Sequence, residues 1–259
     1  MKISILMPVY NEFRTFDEVL ERVRRASLPA DCSKEIVVVD DGSTDGTTLR
    51  VSEYGREGVI VGHCAEKNAG KGAAIRIGIE LASGEIIIIQ DGDLEYDPAD
   101  YQRVLEPIVR GDCDVVYGSR FLGQITGMKW QYRIANRILT RTANLLYGAT
   151  ISDEATAYKA LRTSIARQLD LQCRGFEFCS ELTAKLCRRG YRICEVPVSY
   201  NGRGITEGKK IRFRDGVTAL WTLIKLRFLP GARWAGSSRP QAVGILDEVY
   251  SDCSCNRKV

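Results

Sequence analysis

Short apolar runs alternate along this chain with longer segments whose apolar residues recur at helical spacing. The runs are Ile3 to Met7, Ile36 to Val39, Val59 to Val61, Ile86 to Ile89 and Val115 to Tyr117. Between the first two, EFRTFDEVLERVRRA (Glu12 to Ala26) spaces Phe13, Phe16, Leu20 and Val23 along one helix face. Strand and helix in alternation predict an α/β fold with a mostly parallel sheet, and the β-branched run Ile86 to Ile89 predicts a strand buried on both faces. In such sheets a ligand binds beyond the carboxyl ends of the strands. Three runs end there in chemistry: Pro8, Tyr10, Asn11 and Glu12 after the first, Asp40 and Asp41 after the second, Asp91 and Asp93 after the fourth.

Several acidic residues have local work. Asp45 in DDGSTDGTT (Asp40 to Thr48) is placed to cap the next helix, and Asp97 before Pro98 reads as an N-cap with proline at the first helical position. Asp91 and Asp93 have no such local partner. Two carboxylates flanking Gly92 at a strand end can turn toward one hard cation, and Mg²⁺ or Mn²⁺ takes oxygen ligands and completes its shell with substrate phosphates. EKNAGKGAAIRIGIELASG (Glu66 to Gly84) sets Asn68, Gly70, Lys71 and Gly72 before a helix with Ile75, Ile79 and Ala82 on one face. A glycine-rich turn at a helix N-terminus holds an anion or is a plain tight turn, and it lacks the Walker spacing.

Two helices carry basic and apolar stripes. In 129–147, Lys129, Arg133, Arg137 and Arg141 recur every four residues beside Trp130, Ile134, Ile138, Leu145 and Leu146. In 214–229, Val217, Leu220, Trp221, Ile224 and Phe228 share a face beside Lys225 and Arg227. Such helices lie in a membrane interface, or pack on the sheet with a solvated basic face; a homodimer contact is the competing use of the second.

The 259 residues, 44% hydrophobic, suit one large domain over about 1–228 with a loosely ordered tail over 229–259. Lys and Arg exceed Asp and Glu by only 37 to 33, which gives no argument for nucleic acid. Nine scattered cysteines read as reduced core thiols of a cytosolic chain, with the close pair Cys253 and Cys255 in the tail. The start, Met1-Lys2 then ISILMPVY, is too short for a signal peptide, and no run reaches the ~18 apolar residues of a membrane span, so membrane contact is expected to be peripheral. His63, the single histidine, reads as structural.

Taken in order, MPVYNE, VVVDDGSTDGT, KNAGKG, QDGDLEYDP, YGSRF and GYRICEVPVSY resemble the inverting family 2 glycosyltransferases of GT-A fold, whose mostly parallel Rossmann-like sheet is flanked by helices. Within that family the chain is similar to the dolichol-phosphate mannose synthase and polyprenyl-phosphate glycosyltransferase branch, over about residues 1–228. The resemblance implies that Pro8, Tyr10 and Glu12 surround the nucleotide base, with Val39 and Asp41 beside base and ribose. It implies that Asp91, Gly92 and Asp93 take the metal and diphosphate of a GDP- or UDP-sugar, and that Lys71, Arg203 and Lys209 belong to the donor site. Arg120, with Arg133, would meet the phosphate of a polyprenyl acceptor at the cytosolic membrane face. Mannose synthases tend to read Asp-Ala-Asp where this chain has Asp-Gly-Asp, and Asp-Pro-Thr-Ser-Gly-Phe where it has DEATAY (Asp153 to Tyr158), so sugar and base stay open.

A phosphate acceptor is already anionic and needs no general base, whereas a saccharide, peptide or small-molecule hydroxyl would; Asp153, Glu177 and Glu181 are the candidates. The rivals are therefore the same donor chemistry with a soluble acceptor, and a non-catalytic nucleotide-sugar sensor.

Overall fold

The first apolar run becomes an inner strand of a seven-stranded sheet in the computed structural model, which describes residues 1–203, 210 and 212–228. Strands β1 (Lys2–Val9), β2 (Ser33–Asp40), β3 (Val61–Cys64), β4 (Ile86–Ile89), β5 (Val115–Ser119), β7 (Lys159–Arg162) and β8 (Cys194–Pro197) stand in the order β3-β2-β1-β4-β7-β5-β8. Only β7 runs antiparallel to its neighbours, pairing Ile88 with Ala160 on one side and Val116 with Ala160 on the other. A small parallel pair, β6 (Ile125–Thr126) and β9 (Tyr200–Asn201), lies apart.

Helices cover both faces, so side chains alternate between two cores. In β4, Ile86 and Ile88 join a core with α1 (Phe16–Arg25) and α4 (Tyr101–Val109). Ile87 and Ile89 join the other core, with α3 (Lys71–Leu81), α6 (Thr163–Gln168) and α7 (Phe178–Arg188). The buried β-branched run thus divides two and two, as a doubly covered sheet requires. Helix α2 (Thr47–Arg56) adds Val51 to the first core. A third cluster joins α5 (Trp130–Tyr147) and α8 (Phe213–Phe228) to α7 through Leu139, Ala143, Ala184, Ala219 and Leu223.

Three expectations are amended. The third strand begins where its apolar run ends, at Val61, because Ile60 is buried at the turn and the strand itself is an exposed edge that carries His63. Phe13 lies before α1 and is exposed, its ring beside Gly46, so the helical stripe starts at Phe16. Not all the cysteines of the described residues are reduced thiols: Cys113 and Cys194 form a disulfide, because the pairing of β5 with β8 brings the entrances of the two strands together. Cys253 and Cys255, and with them the call of a loosely ordered tail over 229–259, lie outside the described residues.

Much of the apolar stripes of α5 and α8 is open to solvent. Trp130 (66% exposed), Leu145 (85%), Phe213 (89%) and Trp221 (60%) are open, as are Ile134, Ile138, Val217 and Phe228. Each helix packs instead through a narrow face of smaller residues, Leu139, Thr140 and Ala143 on α5 and Ala219, Thr222 and Leu223 on α8. No helix among the described residues is long and apolar enough to cross a membrane.

Candidate active site

Strands β2, β1 and β4 are neighbours, so the residues after Asp40, Val9 and Ile89 share one edge of the sheet. Buried Gln90 fixes the turn that follows β4. Its Oε1 accepts from the hydroxyls of Tyr101 (2.7 Å) and Tyr158 (2.7 Å), and its Nε2 donates to the Asp91 carbonyl (2.9 Å). The tyrosines thus decide the amide orientation, and the amide holds the backbone that carries Asp91 and Asp93.

Cations close in on this carboxylate pair. Lys71 Nζ lies 2.5 Å from Asp91, and Arg203 bridges Asp93 (2.6 Å) and Glu12 (3.3 Å). Lys210 donates to Glu12 (2.7 Å) and to the Tyr10 carbonyl. Burial, then the nearby Asp91 and Glu95 carboxylates, push the Asp93 carboxyl up to about 7, with Arg203 opposing. Burial depresses the Lys71 ammonium, but Asp91, with Cys179 and Asp93 adding to it, offsets that and the net shift is upward.

Asp41 is buried, and its two oxygens accept from the backbone N–H groups of Ala69 (2.8 Å) and Gly70 (2.7 Å), fixing the turn that delivers Lys71 at the start of α3. Gly70 is obligatory there: its φ is 104°, and a Cβ would come within 2.4 Å of the Arg174 carbonyl oxygen. Gly92 answers to another constraint, since a Cβ on it would meet Val9 Cγ1 at 2.6 Å.

On the far side, Arg120 follows β5 and is buried against Asp153, with Nε to Oδ2 and Nη2 to Oδ1 both 2.7 Å. The Arg120 backbone N–H also donates to Oδ2 (3.0 Å), and the Tyr200 ring lies 5.1 Å from the guanidinium. Glu195 in turn accepts from the backbone N–H groups of Ser152 (2.7 Å) and Asp153 (3.0 Å). Both Asp153 oxygens are therefore committed to orienting Arg120. The other base candidates are also employed: Glu177 accepts from the Gly175 N–H, and buried Glu181 pairs with Lys185 and caps the backbone of Gln172 and Cys173.

A chamber of about 600 Å³ runs from Lys71 and Asp91 past Arg120 to α5 and α8, where Tyr132, Ile138, Phe213 and Leu220 form its walls. The structure thus brings together Lys71, Asp91 and Arg120, and sets Pro8, Tyr10, Glu12, Gly92, Asp93 and Arg203 beside them. Val39 is core beneath α3, Arg133 is exposed on α5 outside the chamber lining, and Lys209 lies outside the described residues. Sequence reasoning missed Lys210, one position on from the expected lysine, as well as Arg212 and Glu154, which line the chamber. The repeated Lys-Lys at 209–210 was the available signal for the first.

Asp91 and Asp93 suit Mg²⁺ or Mn²⁺ in their chemistry: hard carboxylate oxygens, one residue apart, among groups able to bind phosphate. Among the described residues no three His, Cys, Asp or Glu side chains are grouped to hold a metal, so an ion here would draw its remaining ligands from substrate and water.

Residues 4–170 match the family Glycosyl transferase family 2. The polyprenol monophosphomannose synthase of Mycolicibacterium smegmatis is 31% identical over 218 residues, 79% of this chain and 79% of that protein. The dodecaprenyl-phosphate galacturonate synthase of Rhizobium johnstonii is 30% identical over 212 residues, and this chain spans only 60% of its length. Among solved structures, glucosyl-3-phosphoglycerate synthase of Mycobacterium tuberculosis, in complex with Mn²⁺, UDP-glucose and phosphoglyceric acid, superposes with a TM-score of 0.63 at 18% identity, over 89% of this chain and 81% of that one. The shared architecture is the GT-A fold.

Proposed function

Because the chain belongs to glycosyl transferase family 2, we propose that it transfers a sugar, with inversion, from a GDP- or UDP-sugar to a polyprenyl phosphate at a membrane surface. The observation that carries this reading is the single chamber with a carboxylate pair and Lys71 at one end, Arg120 midway, and the apolar walls of α5 and α8 at the other. A nucleoside diphosphate suits the first end, an acceptor phosphate the middle, and an isoprenoid chain the last. The names of the relatives support the same reading, since both are named as synthases of a sugar joined to a polyprenyl phosphate.

In this reading Pro8, Tyr10, Glu12 and Asp41 shape the base and ribose end, with Val39 packed beneath them, and Lys71, Arg203 and Lys210 face the diphosphate. A divalent ion held by Asp91 and Asp93 supplies charge neutralisation for the departing nucleoside diphosphate. Arg120, held in place by Asp153, orients the acceptor phosphate, one of whose oxygens attacks the anomeric carbon as the bond to the donor β-phosphate breaks. The attacking oxygen is already anionic and needs no base, in keeping with Asp153 and Glu181 being tied to other groups and Glu177 lying outside the chamber lining. The exposed Trp130, Ile134, Trp221 and Phe228, flanked by Arg133, Arg137, Lys225 and Arg227, suit peripheral contact with a cytosolic leaflet.

The test is a transfer assay of purified protein with UDP- and GDP-sugars, short polyprenyl phosphate and Mg²⁺ or Mn²⁺, following organic-soluble product. Metal-dependent glycosyl lipid, reduced at least ~100-fold in Asp93→Asn, is the expected result. Donor turnover that ignores the lipid would move the acceptor to a soluble molecule, and no donor binding would leave a sensor.

A further inference from the structure

Beneath the middle of the chamber lies a polar patch that the reaction outlined above does not use. Glu154 is fully buried, and neither carboxylate oxygen has a partner at full hydrogen-bond geometry; the one hydroxyl near enough to act on the carboxylate is that of buried Ser180, which lacks a well-formed partner of its own. Both residues line the chamber together with Lys71, Asp91 and Arg120. Unpaired buried carboxylates are costly, and a native site keeps one where a ligand completes it.

Glu154 is held firmly. Its backbone N–H donates to Thr140 Oγ1 (3.0 Å) on α5, and its carbonyl accepts from Lys159 Nζ (2.7 Å). Lys159 is the obvious candidate for a purely structural pairing, and its charge does act on the Glu154 carboxyl, but its ammonium donates to that carbonyl and sits over the Tyr117 ring, 3.5 Å from the centroid, rather than forming a hydrogen bond to the carboxylate. Next to Ser180, Cys179 is near enough to Lys159, Lys71, Glu154 and Asp91 for their charges to act on its thiol, though burial raises that thiol more than they do. The patch therefore belongs to the stretch of chamber between the diphosphate end and Arg120, which is where a transferring sugar must sit.

Resting on the function proposed above, we infer that Glu154 and Ser180 form the floor of the donor-sugar pocket and select the sugar by hydrogen bonding to a pair of its hydroxyls. A carboxylate accepts from two neighbouring hydroxyls at once, and a serine hydroxyl can donate to or accept from a third oxygen. A pocket built to bond hydroxyls discriminates strongly against analogues that lack them, because its own buried groups are then left unpaired. Glu154 makes no contact with the reacting atoms in this account; it is a specificity-determining residue.

The test is titration calorimetry with Mn²⁺, using UDP, GDP, UDP-glucose, UDP-galactose and GDP-mannose on the wild type, Glu154→Gln, Glu154→Ala and Ser180→Ala. The wild type should separate these sugars in affinity by about 10- to 100-fold at a given nucleotide. The Glu154 variants should lose most of that separation, and Ser180→Ala part of it, while all bind UDP or GDP alone as the wild type does. The isosteric Gln change guards against loss of the fold. Sugar discrimination that survives Glu154→Gln and Glu154→Ala, or a wild type that binds a nucleoside diphosphate without discriminating its sugars, overturns the inference and leaves the donor site standing. A wild type that binds neither UDP nor GDP overturns both.

Discussion

Replacing Gly92 by alanine tests whether the turn after β4 is tuned to its neighbour on β1. Gly92 does not have a left-handed φ, so alanine meets no backbone objection, only the 2.6 Å approach to Val9 Cγ1. Val9 is 2% exposed and β-branched, with little rotamer freedom to withdraw. Overpacking of this kind costs about 1–3 kcal/mol. Val9→Ala removes two methylene equivalents at about 0.8 kcal/mol each and leaves a small cavity, about 2 kcal/mol in all. If the two effects were independent, the double variant would lose about 4 kcal/mol; with the clash relieved it should lose about 2, a coupling of about 2 kcal/mol. The lower unfolded-state entropy of alanine relative to glycine cancels around the cycle. Urea unfolding of the four proteins measures the coupling directly. Losses that add to within roughly 0.5 kcal/mol would refute the account, and with it the explanation for glycine where mannose synthases tend to carry alanine.

Arg120→Ala should cost about 3–5 kcal/mol in urea unfolding, because it strands the buried Asp153 carboxylate, whereas Arg120→Asn with Asp153→Asn should recover much of that; an Arg120→Ala midpoint equal to wild type would count against the pair. Glu35 is held down to about 2 from 4.5, with burial opposing and the hydrogen bonds from Lys2, Ser4 and Ser83 prevailing. A depressed carboxyl stabilises above its unfolded value and loses that contribution as pH falls, so Tm should drop between pH 4.5 and 2 more steeply in the wild type than in Glu35→Gln. Parallel slopes in that window would deny Glu35 the role. Thiol titration of a denatured, unreduced Cys253→Ser, Cys255→Ser protein should find five thiols, those of Cys32, Cys64, Cys173, Cys179 and Cys187; seven would show the Cys113–Cys194 bridge unformed.

The clustering of Tyr10, Glu12, Asp41, Asp91 and Asp93 was legible because these residues sit at the ends of strong apolar runs, where β1, β2 and β4 must release the chain at a common edge. β7 was not, since Lys159-Ala-Leu-Arg has neither an alternating nor a continuous apolar pattern and owes its strand to two neighbours that pair with it from both sides. The apolar stripes of α5 and α8 were legible from their spacing, and the sequence offered both an open and a packed face for them; which residues pack was not legible, because burial through Ala143 and Ala219 gives almost no sequence signal. Asp153 was a candidate base until the structure tied both of its oxygens to Arg120, a relation across 33 residues that no local pattern announces. Glu154 stands beside it in sequence, and only its lack of well-formed partners in space separates the two.

The antiparallel β7 also bears on how the chain can assemble. The donor-side strands β3, β2, β1 and β4 are complete by residue 89, but β5 has no bonded link to them except through residues 159–162. Loop closure over that separation is slow compared with local pairing. A chain emerging from the ribosome therefore carries a nearly finished half-sheet whose β4 edge, a row of isoleucines, stays open to the wrong partner until some seventy further residues have been made. Joining the two halves is the late, rate-setting event, and a chain cut before residue 159 should expose that edge and aggregate rather than fold as a smaller domain.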